Sequence, residues 1–388
     1  MVSPIANIVG TTEGIKTCKE AKKLCQDQAR VCYSEKSMEE IKKEEYKPEF
    51  IEFLIKNGHH SPFDHFNITF SLENFPKAFA MTLNNLRPYT TGEKSARYTE
   101  MKLIEPKQKE LYDKWIERFK DKISEKYPES NFPKLYDSSR KTTPIEKLAQ
   151  ENARYLTSVF TPTKMVHTIS LRQLNIICGY FEDFIEENKN TSDLFKKKLI
   201  EPYEIFLNSE AVKEFRIENM KGKANSKLNL FGEPIEEIFS KDIYATNYNV
   251  SFACLAQLHR HRTLDYHINE GYDQRANLGF FIPPIIKGTE LENEWVKDMT
   301  YVSNYDFPQG QLINVAEMGR AEDFYMKTRE RICSNAQLEI VLATKDLIEK
   351  YSKFHPEYLD WIKPDCEING CKKGGCILGG DNCLTRLI

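Results

Sequence analysis

The sequence lacks any apolar run approaching the ~20 residues that a bilayer-spanning helix needs. Its first residues, MVSPIANIVGTTEGIK, lack the basic and apolar regions of a secretory signal. It also lacks an excess of charge, because 55 Lys and Arg against 58 Asp and Glu give a formal net charge of −3, and no global positive field attracts nucleic acid. We therefore expect a cytoplasmic protein with neither a membrane nor a nucleic acid as partner, and the ten cysteines as reduced thiols.

Length and the order of predicted elements indicate two related domains. The 388 residues, 40% apolar and 29% charged, suffice for two or three domains with sizeable cores. The pattern predicts a strand at 66–72, helices at 78–87, 105–127 and 151–215, a strand at 244–252, and helices at 251–262 and 316–351. This order partly repeats, so we predict an α+β fold with a first domain at 1–217 and a diverged copy at 228–388, each a sheet packed with long helices.

Residues 58–65 read GHHSPFDH and hold three histidines. Their spacing matches no common zinc pattern, and a proline stands in the middle. We interpret the segment as a loop that enters the following strand and holds a ligand through Ser61 and backbone amides. The alternative is a histidine-rich turn without a role.

Residues 87–98 read RPYTTGEKSARY. In an extended segment Glu93, Ser95 and Arg97 point to the same side. The trio suits a phosphorylated sugar, because the guanidinium pairs with phosphate oxygens, the hydroxyl donates, and the carboxylate accepts a ribose or amide proton. The alternative is a solvated loop with an internal pair between Glu93 and Arg97.

Residues 257–262 read QLHRHR and end a predicted helix with a basic cluster. Cationic groups so close together repel one another unless an anion shares them, as the pyrophosphate of a flavin or nucleotide would. Gln257 and Arg260 are three residues apart, so both can face one ligand. The alternative is a basic helix end that interacts favourably with the helix dipole.

The last four cysteines, Cys366, Cys371, Cys376 and Cys383, lie close together among glycines. Their spacing is wider than the two to four residues usual between zinc ligands, and the alternative is four reduced thiols. We therefore predict no metal site, with these four cysteines as the candidates should zinc bind.

Taken together, these clusters resemble the flavin-dependent thymidylate synthases, also called thymidylate synthase-complementing proteins. The family's motifs recur in order along nearly the whole chain. The first half carries GHHSPFDH, Glu93-Lys-Ser95-Ala-Arg97-Tyr98, Glu151-Asn-Ala-Arg154 and Ser170-Leu-Arg172. It departs where Gln-x-x-Arg-His-Arg is expected, since Thr82 and Asn85-Leu86-Arg87 stand there, and the family's late substrate arginine falls near Phe181.

The second half shows the opposite losses. It keeps Gln257, Arg260-His261-Arg262, Asn269-Glu270 and Arg331-x4-Ala336-Gln337-Leu-Glu339-Ile340. It has Gly271-Tyr272-Asp273-Gln274 where x-Ser-x-Arg is expected, and no Gly-His-x-Ser-Pro-Phe precedes it. We interpret the chain as a tandem fusion of two diverged copies.

The resemblance implies a homotetramer that methylates dUMP to dTMP with FAD, methylenetetrahydrofolate and a reduced nicotinamide such as NADPH, without a cysteine nucleophile. It implies that Arg331 is catalytic at the uracil edge, with Arg329 in reserve. The implied dUMP ligands are Glu93, Ser95, Arg97, Arg154, Gln257 and Arg260. The implied FAD ligands are His59, Ser61, Glu93, Arg172, Arg260, His261 and Arg262. Because each half lacks what the other keeps, we expect a homodimer that mimics the tetramer, with both repeats in each active site.

Two alternatives to this function stay open. One is a related flavin enzyme that puts a different one-carbon group on a pyrimidine nucleotide. The other is a degenerate, noncatalytic homologue that binds a nucleotide or flavin.

Overall fold

The computed structural model describes residues 3–56, 59–95, 99, 105–139, 142–218, 220, 230–231, 243–259, 261, 263–272, 278–333, 336–354 and 356. The strands of this part are β1 Ile5–Thr11, β2 Asn67–Pro76, β3 Thr90–Glu93, β4 Pro162–Ser170, β5 Ile243–Ser251, β6 Asp265–Glu270 and β7 Leu312–Arg320. Its α-helices are α1 Cys18–Arg30, α2 Met38–Lys42, α3 Pro48–Lys56, α4 Lys77–Asn85, α5 Pro106–Lys126, α6 Pro144–Ala153, α7 Leu171–Asn188, α8 Leu194–Asn208, α9 Glu210–Phe215, α10 Phe252–Leu258, α11 Glu290–Ser303, α12 Ala321–Arg331 and α13 Leu338–Ser352. The predicted α+β class is confirmed, and no described helix is long and apolar enough to cross a membrane.

The first compact unit comprises Met1–Lys94 and Pro162–Lys227. Its four strands form an antiparallel sheet in the order β1-β2-β4-β3. The alternation that predicted β2 is real, because Ile68, Phe70 and Leu72 are all buried on one face. Aromatic rings fill the space between this sheet and its helices, and Phe181 of α7 stacks on Tyr203 of α8 with ring centroids 4.0 Å apart.

The second compact unit comprises Ser95–Thr161 and Leu228–Ile388. Its antiparallel sheet has the order β5-β7-β6. Trp115 and Phe119 of α5 pack edge-on against Trp295 of α11, at centroid distances of 4.7 and 5.5 Å. Residues 95–161 therefore pack with the second half of the chain, whereas the predicted first domain, 1–217, included them. The apolar stripe of α5 indicates that one face is buried, but not which helix covers it.

The two units share one order of elements. In the first, β2, α4 and β3 are followed by β4 and α7, and β4 lies between β2 and β3. In the second, β5, α10 and β6 are followed by β7 and α12, and β7 lies between β5 and β6. From β3 (start 90) to β6 (start 265) the offset is 175 residues, and from β4 (start 162) to β7 (start 312) it is 150. The repeated topology agrees with two diverged copies, while the tandem fusion itself stays a prediction.

Two strands were wrongly predicted as helix. β4 lies inside the region predicted as helical at 151–215, and β7 overlaps the region predicted as helical at 316–351. The period of two is masked because polar side chains occupy inward positions: Thr163 and His167 are buried in β4, and Glu317 is buried in β7. Apolar residues alone therefore do not reveal the alternation.

Candidate functional site

The predicted site residues divide into three groups. His59, Ser61, Glu93 and Arg172 lie in the first unit, and Ser95, Arg154, Gln257, His261 and Arg331 lie in the second. Arg97, Arg260, Arg262 and the tail cysteines Cys366, Cys371, Cys376 and Cys383 lie outside the described residues.

The chain path of the second unit brings Arg331 to α10. Ser251, the last residue of β5, pairs with Leu312, the first residue of β7, so α10 begins near the start of β7. Helix α12 follows the far end of β7, and its 11 residues return about 16 Å along the sheet. The ion pair between Lys327 of α12 and Glu317 of β7, with N–O distances of 2.7 and 2.8 Å, holds this helix on the sheet.

Arg331 contacts Gln257 and His261 of the predicted basic cluster at 257–262. Its Nε donates to Nε2 of His261 at 2.6 Å, and its Nη2 donates to the carbonyl oxygen of Gln257 at 3.4 Å. The guanidinium group of Arg329 lies instead over the ring of Tyr325, 5.5 Å from its centroid. These contacts favour Arg331 over Arg329 as the arginine of this site.

His261 is neutral, which corrects the interpretation of residues 257–262 as a set of cations. Burial, and secondarily the positive charges of Arg331 and Lys327, lower the pKa of His261 to about 2. Its Nε2 accepts the hydrogen bond from Arg331, which a protonated ring cannot do. His261 can therefore hold the arginine in place, but it adds no positive charge for a cofactor phosphate.

Arg154 joins the same unit from a different part of the sequence. It lies in the helical turn Arg154–Leu156 that follows α6 and is 5% exposed. Its Nη2 donates to the carbonyl oxygen of Ala253 in α10, at 3.1 Å. Arg154 belongs to the motifs of the first half, yet within one chain it contacts the helix that carries Gln257.

A buried polar network, which the sequence analysis did not identify, adjoins this cluster. Gln257 donates to the side chain of Gln337, Gln337 donates to the hydroxyl of Tyr155, and Tyr155 donates to Glu339 at 2.9 Å. Glu339 also accepts the backbone N–H of Ser251 at 2.7 Å and its hydroxyl at 2.5 Å. Gln337 and Glu339 belong to the motif at 331–340 that the chain shares with the family it resembles, and that motif could have identified them as site residues.

In the first unit Glu93 is already engaged. Its carboxylate is 2.5 Å from Nζ of Lys77 and accepts longer hydrogen bonds from Asn84 at 3.3 Å and Thr163 at 3.4 Å. The side chain of Glu93 is only 5% exposed. Lys77 is therefore the described cationic partner of Glu93, and a ligand reaching Glu93 would have to exchange with these contacts.

His59, Ser61 and Arg172 offer donors that suit an anionic cofactor. His59 and Ser61 are exposed. Arg172 pairs with Asp64 at 2.9 Å, and its buried Nε has no hydrogen-bond partner among the described residues. An unsatisfied guanidinium donor, an exposed hydroxyl and an exposed imidazole are each suited to phosphate oxygens. These residues therefore fit the phosphate part of FAD.

In the described part of the first unit, the positions that correspond to the cluster around Arg331 hold different residues. By the offsets of 175 and 150 residues, Gln257 corresponds to Thr82 and Arg331 to Phe181. Thr82 bonds the hydroxyl of Tyr203 at 2.8 Å, and Phe181 stacks on the ring of Tyr203. All three are buried, so core packing occupies these positions.

The buried thiols are poorly suited to nucleophilic attack. Burial raises the pKa values of Cys25 and Cys178 to about 12, and that of Cys254 well above the usual range. The thiolate is the reactive form of cysteine. The thiols of these three residues therefore stay protonated at neutral pH.

Comparison with known proteins identifies related chains. Residues 15–181 match the family model of the thymidylate synthase complementing proteins. A flavin-dependent thymidylate synthase of Clostridium tetani (strain Massachusetts / E88) is 28% identical over 182 residues, which cover 42% of this chain and 73% of the relative.

Solved structures are similar at lower identity. A UMP/dUMP methylase, PolB, from Streptomyces cacaoi bound with 5-Br dUMP is 18% identical, with a TM-score of 0.29, over 46% of this chain and 77% of that one. Thymidylate synthase X from Helicobacter pylori with FAD and dUMP is 14% identical, with a TM-score of 0.30, over 54% of this chain and 100% of that one.

Proposed function

We propose that the chain, whose residues 15–181 match the thymidylate synthase-complementing family, is a flavin-dependent thymidylate synthase. It methylates dUMP to dTMP, with methylenetetrahydrofolate as the carbon donor and NADPH as the reductant. FAD is its cofactor.

The observation that carries the proposal is the meeting of Gln257, His261 and Arg331 in the second unit. A buried neutral imidazole accepts from the guanidinium of Arg331 at 2.6 Å and fixes its direction without competing for a negative charge. The half-buried guanidinium then faces the nucleotide. Chemistry at C5 of uracil places negative charge on the ring, and a preorganised cation beside it stabilises the transition state.

His59, Ser61 and Arg172 are the described residues that would hold FAD. When bound, reduced FAD would supply the redox chemistry for carbon transfer to C5 of the uracil, so that no cysteine nucleophile would be needed. The role of the protein residues is to bind its phosphates through the guanidinium and hydroxyl donors and to keep the dUMP ring beside Arg331.

We also propose that a complete nucleotide site needs residues of both sequence repeats, in a homodimer. Glu93, Ser95 and Arg97 come from the first repeat, and Gln257 with Arg331 from the second. The contact between Arg154 and Ala253 at 3.1 Å supports sharing at the level of one chain. Whether the site needs a second chain then depends on whether the proposed phosphate ligands Ser95 and Arg97 come from the same chain as Gln257 and Arg331 or from its partner.

The test combines cofactor and product. The purified protein should be yellow with a flavin absorbance spectrum, and with dUMP tritiated at C5, methylenetetrahydrofolate and NADPH it should release tritium. Mass spectrometry should show dTMP. A hydroxymethylated product or a preference for UMP would identify a related one-carbon transferase. Flavin and dUMP binding without tritium release would identify a noncatalytic homologue, and a protein that stays colourless in excess FAD would overturn the proposal.

A further inference from the structure

The hydrogen bonds of the buried network run in one direction, and that direction starts at Glu339. Oε1 of Glu339 accepts the backbone N–H of Ser251, and Oε2 accepts the hydroxyl groups of Ser251 and Tyr155. The Ser251 oxygen also accepts from the backbone N–H of Cys254 at 3.1 Å, while its single proton is donated to Glu339. The carboxylate is 4% exposed and acts as an acceptor for each of these donors.

The same donor-to-acceptor direction continues through the side chains of Tyr155 and Gln337 to Gln257. Because Tyr155 uses its only proton on Glu339, its oxygen can only accept, and Nε2 of Gln337 donates to it. The amide of Gln337 is then fixed with Oε1 toward Gln257, whose Nε2 donates to it. Nε2 of Gln257 also lies 3.4 Å from the carbonyl oxygen of Ala253. Both donor contacts hold the nitrogen end of Gln257 in the network.

The oxygen end of Gln257 is consequently left for a ligand. Among the described residues no group donates to this Oε1, and Gln257 is only half-buried. Nη2 of Arg331 lies 3.4 Å from the backbone oxygen of the same residue. The guanidinium thus contacts the main chain of the residue whose side-chain oxygen is an acceptor, and an acceptor and a cationic donor on these two residues would match the adjacent N3–H donor and carbonyl acceptor on the edge of uracil.

We propose that Tyr155, Gln337 and Glu339 are positioning residues that turn the carbonyl oxygen of Gln257 toward N3–H of the pyrimidine, and thereby select uracil over cytosine. The inference rests on the proposed function, since it takes dUMP as the ligand. Cytosine presents an unprotonated N3 at this edge, so two acceptors would face each other. Sites built to hydrogen-bond one group reject an analogue lacking it far more strongly than apolar pockets reject shape changes.

The experiment measures the ratio of the dissociation constants of dCMP and dUMP on the FAD-loaded full-length protein by calorimetry. We expect a ratio of about 100 or more for the wild type. Tyr155→Phe deletes the hydroxyl, which frees the amides of Gln337 and Gln257 to reverse, and the ratio should fall at least about tenfold. Flavin content should not change. The ratio is the diagnostic quantity, because a general loss of packing weakens both nucleotides alike.

The matched control is Tyr305→Phe. Tyr305 is in the same unit and donates its hydroxyl to a carboxylate, Glu105, at 2.9 Å, but it is not in this network. Its loss should leave the ratio unchanged. Gln337→Met, which removes the amide but keeps an apolar side chain of similar length, provides a second variant and should lower the ratio as Tyr155→Phe does.

The possible outcomes distinguish the positioning inference from the proposed function. A wild-type ratio in Tyr155→Phe or, if that variant does not fold, in Gln337→Met, would overturn the positioning role. A wild type that binds FAD and dUMP but does not discriminate against dCMP would overturn the inference alone. A wild type that binds neither FAD nor dUMP would overturn the proposed function, and the inference with it.

Discussion

Replacing Lys327 by Met should destabilise the protein much more than removing a surface lysine does. Nζ of Lys327 lies 2.8 and 2.7 Å from the two carboxylate oxygens of Glu317, and both side chains are fully buried. Tyr248 also donates to Glu317, and burial with the nearby carboxylate raises the pKa of Tyr248 well above its usual range. The tyrosine therefore stays protonated and cannot replace the missing positive charge.

The expected loss of stability comes from the carboxylate of Glu317, which stays buried when the lysine is replaced. Lys327→Met keeps the length of the side chain and removes only the ammonium group, so the buried carboxylate of Glu317 loses its cationic partner. Breaking a buried ion pair in this way costs about 3–5 kcal/mol. Removing both charges in the double variant Lys327→Met, Glu317→Leu should recover much of that loss, because paired burial gains little over apolar packing.

Urea unfolding followed by the fluorescence of Trp115 and Trp295 measures the effect in the second unit. Lys345→Met is the control, since Lys345 forms an exposed pair with Glu349 at 3.6 Å and should cost less than about 1 kcal/mol. Turnover should also fall in Lys327→Met with flavin retained, because α12 carries Arg331 one turn further on. Equal losses in Lys327→Met and Lys345→Met, or a double variant as unstable as the sum of the singles, would refute the reasoning.

Four further predictions concern the site and the tail. Arg331→Ala should lower turnover at least about 100-fold with flavin content unchanged, and full tritium release in this variant would remove Arg331 from the site. The pKa of folded His261 is about 2, whereas that of unfolded histidine is about 6.5. Below about pH 6.5 the unfolded chain therefore binds an extra proton, and the free energy of unfolding should fall by about 1.4 kcal/mol per pH unit toward pH 4. Urea titrations should show a smaller slope in His261→Gln, and equal slopes would contradict the assignment. Truncation after Pro364 should lower stability or assembly and leave the flavin spectrum and turnover, whereas an assembled, flavin-loaded truncation without turnover would give the tail a role in chemistry. Arg97→Ala and Arg260→Ala should each be nearly inactive when assayed alone. Mixed dimers of the two variants should regain one intact site only if each site forms between two chains. Full activity of Arg97→Ala alone would contradict the divided site.

Local patterns predicted the elements whose buried faces are apolar. β2 was predicted because Ile68, Phe70 and Leu72 alternate with polar residues, and α5 because its apolar residues recur every four positions. The same reasoning missed β7, where the inward residue Glu317 is charged. Its partner Lys327, ten residues later on the next helix, compensates that buried charge, and a period-based prediction has no access to such a pair.

The family resemblance predicted residues of the candidate site, but not the hydrogen bonds that connect them. The motifs pointed to Gln257 and Arg331, and the structure places Arg331 in contact with both Gln257 and His261. The hydrogen bonds from Tyr155 to Glu339 and from Gln337 to Tyr155 join residues 184 and 182 positions apart. The charge state of His261 was equally hidden, because counting basic residues along 257–262 gives no measure of burial.

The two units indicate why the motifs are divided. Where the second unit has Arg331, the first has Phe181 stacked on Tyr203 at 4.0 Å, inside a cluster of aromatic rings. An arginine at that position would bury a charge without a partner, which costs far more than the phenylalanine contributes by packing. The second unit tolerates its arginine because the carbonyl of Gln257 and the neutral ring of His261 accept its donors. A buried aromatic core and a partnered arginine cannot occupy the same position, so the first unit, which has Phe181 there, cannot form the cluster that the second unit forms around Arg331.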